Sequence, residues 1–114
     1  MTLKSDLQAV LNPLASGGAW DKVAAQGTAP PYITWQMIVS PANVSFGGAS
    51  NLQNTRVQID VYARTGADTE ALAKAIATAM AAASFKNVPL SVQEFYEPEV
   101  KLHRISLDYS LWST

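Results

Sequence analysis

A ten-residue stretch near the middle of the chain alternates between apolar and polar side chains from its second residue onward. In the stretch TRVQIDVYAR, from Thr55 to Arg64, the residues Val57, Ile59 and Val61 point to one side of an extended chain. Polar side chains occupy the positions between them. A period of two indicates a strand with one buried and one exposed face, which is typical of an antiparallel sheet covered on a single face. This strand limits the fold to architectures with a half-covered sheet.

A helix is predicted directly after this strand, from Asp68 to about Ala83. Leu72, Ile76 and Met80 recur every four residues, and alanines fill most of the neighbouring positions. The acidic residues of its first turn suit the positive end of the helix dipole. Small alanine side chains also allow the helix to lie close to a sheet, so this helix is expected to cover the apolar face.

A second amphipathic helix is predicted at the start of the chain. Its apolar residues share one face from Leu3 to Leu14, Thr2 caps it, and Pro13 ends or kinks it. The chain has 114 residues, which is the length of one domain, so residues 1–114 are predicted to form a single domain.

Further strands complete the predicted elements. Residues 20–24 form a weak candidate, and residues 32–39 a stronger one rich in aromatic and β-branched side chains. Residues 88–96 and 102–112 form a hairpin. Residues 40–54 carry no charge and are predicted to be a long loop. The expected fold is α+β, an antiparallel sheet of about four to five strands with two helices packed on one face, in the order α-β-β-α-β-β.

Composition excludes several classes of protein. The chain is 48% hydrophobic and 15% charged, which is unlike a disordered tail. Its net charge of −1 offers no basic field for the phosphates of nucleic acid. It has no cysteine, so disulfides and thiolate sites are absent. No run approaches the roughly 20 apolar residues of a membrane-spanning helix, and the spaced apolar residues of the first segment do not resemble a secretory signal.

No set of residues rises above background as a catalytic or metal site. The single histidine, His103, lies on a predicted strand beside Arg104, and three glutamates lie at or near the tip of the hairpin. The glycine pairs match neither the phosphate-binding loop nor the dinucleotide-binding motif. Asp60 and Asp108 lie on strands that also carry arginine, so cross-strand or intersubunit ion pairs are expected there. The chain is therefore predicted to be no enzyme and to need no cofactor or metal.

The polar faces of the long strands are the main candidates for a contact surface. The plain alternative is a solvated sheet face, which antiparallel sheets tolerate. The functional alternatives are an interface between subunits and the lining of a channel, and the mixture of both charge signs with Tyr and Trp favours the interface. The uncharged loop 40–54 is a second candidate. The predicted interface residues are Val44, Phe46, Arg56, Gln58, Asp60, Tyr62, Arg64, Glu97, Glu99, Arg104, Asp108 and Trp112.

Three segments, in this order, resemble a known family. They are PPYITWQ at 30–36, TRVQIDVYARTGADTEALAKAIATAM at 55–80 and HRISLDYSLW at 103–112. Together they resemble the tail completion, or tail terminator, proteins of bacteriophages with long non-contractile tails. The resemblance implies a structural protein that caps the tail tube as a ring, generally a hexamer, stops tube polymerisation and provides the head-joining surface.

The same resemblance implies the partners and the location. The partners would be further copies of the chain, the major tail tube protein and the head–tail connector or neck protein, with DNA passing through the lumen without specific binding and no membrane involved. The protein would assemble in the host cytoplasm and reside at the head-proximal end of the tail. Two alternatives stay open, a neck or head-completion protein and a small α+β ligand-binding or regulatory domain. An enzyme using Asp60, Asp108 or His103 ranks last.

Overall fold

Two α-helices and one five-stranded sheet make up the fold. The structure, a computed structural model, describes residues 3–38 and 53–113. The strands lie side by side in the order β1-β2-β3-β5-β4. The elements are α1 (Leu3–Leu11), a short 3-10 helix (Asn12–Leu14), β1 (Ala19–Asp21), β2 (Tyr32–Ile38), β3 (Gln53–Ala63), α2 (Gly66–Ala81), β4 (Lys86–Glu97) and β5 (Leu102–Ser113).

Four of the strands form an antiparallel sheet, and the fifth does not. β2 with β3, β3 with β5 and β5 with β4 are all antiparallel pairs. The short β1, however, runs parallel to β2, so the expectation of an entirely antiparallel sheet was wrong at this edge. The reason is the long connection of residues 22–31, which returns the chain to the end of the sheet where β1 begins, so that β2 runs in the same direction as β1. The Gly17 N–H bonds the Pro31 carbonyl at 2.8 Å beside this return.

Both helices cover the same face of the sheet. The apolar residues of β3 point into this layer, and Val57, Ile59 and Val61 are fully buried, as the alternation predicts. Opposite residues on neighbouring strands share a face, so Ile59 lies between Trp35 of β2 and Leu107 of β5. The helices contribute a complementary set of buried side chains: Leu7, Leu11, Leu72, Ile76 and Met80.

Several element boundaries differ from the prediction. α2 begins at Gly66, two residues early, because the Thr65 hydroxyl accepts a hydrogen bond from the Asp68 N–H at 3.1 Å and caps the helix. The weak strand candidate lies at Ala19–Asp21 rather than 20–24. β3 begins at Gln53, inside the predicted loop, and ends before Arg64. Thr2, Val39 and the remainder of that loop lie outside the described residues.

Candidate interaction surfaces

The sheet face opposite the helices carries the predicted polar residues. Alternation along three strands places them on one side, which we call the open face. Its central members are Tyr32, Thr34, Arg56, Gln58, Asp60, Tyr62, Arg104, Ser106, Asp108, Ser110 and Trp112. Seven of the predicted interface residues therefore lie on one continuous surface, in the arrangement expected from sequence.

An ion pair joins β3 to β5 on the open face. Nη2 of Arg56 donates to Oδ2 of Asp108 at 3.1 Å, and the Ser91 hydroxyl donates to the same oxygen at 3.2 Å. The cross-strand pairing expected for Asp108 is thus confirmed. Half of the Arg56 side chain remains exposed, so the pair contributes little to stability, and the guanidinium still offers donors to an approaching partner.

Asp60 is the least exposed charged residue of the open face. Only 8% of it is accessible, and Nε2 of Gln58 donates to its Oδ2 at 3.1 Å. Its other oxygen, Oδ1, is buried and forms no hydrogen bond with a described residue. A buried acceptor without a donor is costly. Asp60 therefore places at the centre of the face a carboxylate whose inner oxygen has no donor among the described residues.

Arg104 links the open face to β4. Its guanidinium lies 4.4 Å from the ring centre of Phe95, and its Nε lies 3.4 Å from Oε1 of Glu97. That Nε forms no hydrogen bond with a described residue, so the contact with Glu97 is an ion pair without hydrogen-bond geometry. Burial alone would lower the pKa of Arg104. The hydrogen bond to Tyr62 and the nearby charges of Asp60, Tyr62 and Glu97 outweigh this effect, so the pKa of Arg104 lies above its ordinary value.

Trp112 lies at the end of the open face, under the ammonium group of Lys86, which is 5.0 Å from its ring centre. The other predicted interface residues are dispersed. Arg64 is exposed just after β3, and Glu99 is exposed in the turn between β4 and β5. The structure thus separates these two from the open face. Val44 and Phe46 lie outside the described residues.

Strand β4 forms a second surface, of which only its last residue, Glu97, was among the predicted interface residues. It is the last strand of the sheet, and nearly all of its twelve residues are exposed. Apolar side chains protrude on both faces of β4, each with 39–60% of its surface accessible. They are Val88, Leu90, Val92, Phe95 and Tyr96. The available signal was the lack of strict alternation in VPLSVQEFY, since a strand apolar on both faces needs cover on both.

The described residues offer no catalytic or metal-binding arrangement. His103 packs against Tyr96, with ring centres 4.9 Å apart, and beside Gly66 at the start of α2. No group of three histidine or carboxylate side chains suited to a metal ion occurs among residues 3–38 and 53–113. None of the helices in these ranges is both long and apolar enough to cross a membrane. The geometry is that of a protein with contact surfaces.

Comparison with known proteins agrees with this geometry. A protein-family model described as tail completion protein gp17 matches residues 3–114. No curated protein matches the chain. The match spans both helices and all five strands, so the open face and the β4 surface both belong to the shared domain. The chain therefore belongs to the tail completion protein gp17 family, and its role is a structural one in bacteriophage tail assembly.

Proposed function

We propose that the protein forms a ring, a hexamer by resemblance, that caps the finished tail tube, stops its polymerisation and provides the head-joining surface. The observation that carries this proposal is the presence of two unlike surfaces on one subunit of a tail completion protein. The open face is polar and hydrogen-bonded, whereas β4 is apolar on both sides. A closed ring and its two axial neighbours require such different contact surfaces, because ring contacts are head-to-tail.

Charges on the open face suit contact with protein better than a grip on DNA. Arg56 is paired with Asp108, and Arg104 is paired with Glu97. With a net charge of −1, the chain offers no cationic field that would retain DNA passing through a lumen. The proposed partners are therefore other copies of the chain, the tail tube protein below and the connector or neck protein above. The proposed location is the head-proximal end of the tail.

Deleting the gene from the phage or prophage that carries it tests the proposal. Electron microscopy of the resulting particles should show unjoined heads beside tails of abnormal, uncontrolled length. The wild-type gene supplied from a plasmid should restore joined particles of normal tail length. Since a cap acts on length and joining together, both defects should appear and be rescued together.

Each other outcome selects a different function. Tails of normal length that fail to join heads would make the chain a neck or head-completion protein. Normal infectious particles would overturn the virion role and favour a ligand-binding or regulatory domain. Against that last alternative, the space between the sheet and α2 is occupied by side chains such as Ile59 and Ile76, which are fully buried.

A further inference from the structure

Among residues 3–38 and 53–113, no strand pairs with the outer edge of β4, and this edge is suited to strand addition. β4 is the outermost strand, and its only described strand neighbour is β5. Pro89 and a bulge between Pro89 and Ser91 interrupt the first part of its ladder. From Ser91 to Glu97 the ladder is continuous, with Val92 and Tyr96 exposed on one side and Phe95 on the other. Seven residues of open backbone flanked by apolar groups form a template for another strand.

The opposite edge of the sheet is closed by side chains. Oδ1 of Asn12 accepts from the Ala19 N–H at 3.0 Å, and Nε2 of Gln8 donates to the Ala19 carbonyl at 2.8 Å. Both backbone groups of Ala19 are therefore occupied, and β1 cannot accept an added strand at this residue. Side chains that cover an edge in this way prevent sheets from joining edge to edge.

The two edges of one subunit do not match each other. Beyond β1, the residues of β2 that lack a described strand neighbour on that side are Tyr32 at one end and residues 36–38 at the other. The register across the sheet places residues 36–38 level with Pro89 and the bulge of β4, that is, at the same height along the strands. Within the continuous ladder, Val92–Glu94 are instead level with Ile33–Trp35, the part of β2 that β1 covers. A second copy that continued the sheet in register would therefore be obstructed at both places. Pro89 and the bulge interrupt β4 opposite residues 36–38, and the backbone of Ala19 is occupied where β1 covers β2.

Two-fold pairing of β4 with itself is also disfavoured. The centre of the continuous ladder Ser91–Glu97 is Glu94, so pairing over its full length would place two Glu94 carboxylates opposite each other. Directly opposed like charges destabilise a strand pair. Glu94 forms no ion pair with a described residue, and the nearby tip adds Glu97 and Glu99. The edge therefore favours a partner with a basic residue at this position.

From these contacts we infer that β4 binds an extended segment of a different protein, which adds as a sixth strand along Ser91–Glu97. The segment carries apolar side chains at alternate positions and a lysine or arginine opposite Glu94. Backbone hydrogen bonds supply affinity, and the flanking side chains supply specificity. That this partner is another protein of the phage particle rests on the proposed function. The head-to-tail ring contacts between copies then need two other unlike patches, of which the open face supplies one.

Photo-crosslinking in assembled particles tests this inference. A phage lacking the gene is complemented with chains in which p-benzoylphenylalanine replaces Phe95, Tyr96 or Val92, one at a time. The matched control places it at Glu70, an exposed residue of α2. After irradiation of purified particles, mass spectrometry should locate the β4 crosslinks in one extended segment of a second particle protein. Glu94→Lys should reduce the yield about tenfold, the value of one charge-assisted contact, whereas Glu70→Lys should not.

The outcomes separate this inference from the proposed function. Crosslinks from β4 to another copy of the chain would overturn it and leave the ring proposal intact. Crosslinks no stronger than those from position 70 would also overturn it. A chain absent from purified particles would overturn both. Val92 is 60% exposed, so a variant at this position keeps the fold even if the Phe95 variant, whose ring lies under Arg104, does not.

Discussion

Asp60 and Arg104 lie on adjacent strands of the open face, and each keeps one buried polar atom that forms no hydrogen bond with a described residue. The atoms are Oδ1 of Asp60, an acceptor, and Nε of Arg104, a donor. The two charges attract each other and contribute to the raised pKa of Arg104. Both atoms are buried, so a neighbouring molecule reaches them only if the surrounding side chains move. The carboxylate and the guanidinium form the charged centre of the open face.

Replacing Asp60 should weaken assembly more than folding. Asp60→Ala removes the unmet acceptor together with one hydrogen bond from Gln58, so the free energy of unfolding should fall by only about 1 kcal/mol. Assembly into particles should fall sharply. Urea unfolding measures the first effect and complementation titre the second, with Lys74→Ala on the exposed side of α2 as control. Collapse of the fold would mean that this face is core and would contradict its role as an interface.

Replacing Ile59 should have the reverse effect. Ile59 is fully buried between the sheet and the helices, so Ile59→Ala leaves a cavity and should lower the free energy of unfolding by about 2–5 kcal/mol. The same measurement on Glu70→Ala, at an exposed position, should give a change within about 0.5 kcal/mol. A negligible change at Ile59 would show that the faces of β3 are assigned the wrong way round.

Gln8 should be important for stability, although the sequence around it does not reveal this. Its side chain accepts from Nε1 of Trp35 at 2.7 Å and donates to the Ala19 carbonyl at 2.8 Å. Gln8→Ala leaves both groups without their partner and should lower the free energy of unfolding by about 1–3 kcal/mol. It also opens the β1 edge, so light scattering should show more self-association. An unchanged monomer would show that Gln8 does not protect this edge.

The sequence was sufficient for the parts of the fold that periodicity determines. Alternation in β3 correctly assigned both faces of this central strand, because only one face can be buried against helices. Recurrence of Leu72, Ile76 and Met80 identified α2 for the same reason. The ion pairing of Asp108 with an arginine, which proved to be Arg56, could also be predicted, since opposite charges on the polar faces of adjacent strands commonly pair.

Periodicity does not predict how segments that are distant in sequence pack or pair with one another. The direction of β1 depends on how residues 22–31 return, and no local pattern encodes that path. The closure of Ala19 by Gln8 and Asn12 joins residues 7–11 positions apart through side chains. The exposure of β4 follows from its place at the sheet edge, which strand order determines. The apolar residues on both of its faces are visible in the sequence, but the sequence does not show that they stay exposed.

Stability should decrease above about pH 10 because of buried tyrosines. Burial raises the pKa of Tyr109, which is 3% exposed, above its ordinary value of 10.0. Burial, and then the charge of Tyr62, raise the pKa of Tyr32. In the unfolded chain both phenols lose their protons first. Their contribution to stability is therefore fully present below pH 10 and is lost as pH rises through the folded-state pKa.

A matched pair of variants isolates this contribution at Tyr109. Urea unfolding at pH 8.5 and at pH 11 should show a smaller loss of stability for Tyr109→Phe than for the wild type, because phenylalanine has no proton to lose. Tyr96→Phe removes a phenol that is 52% exposed and serves as the control. Equal losses for the wild type and Tyr109→Phe would mean that the hydroxyl of Tyr109 is not buried. The strand β5 would then not pack against the helices through this residue.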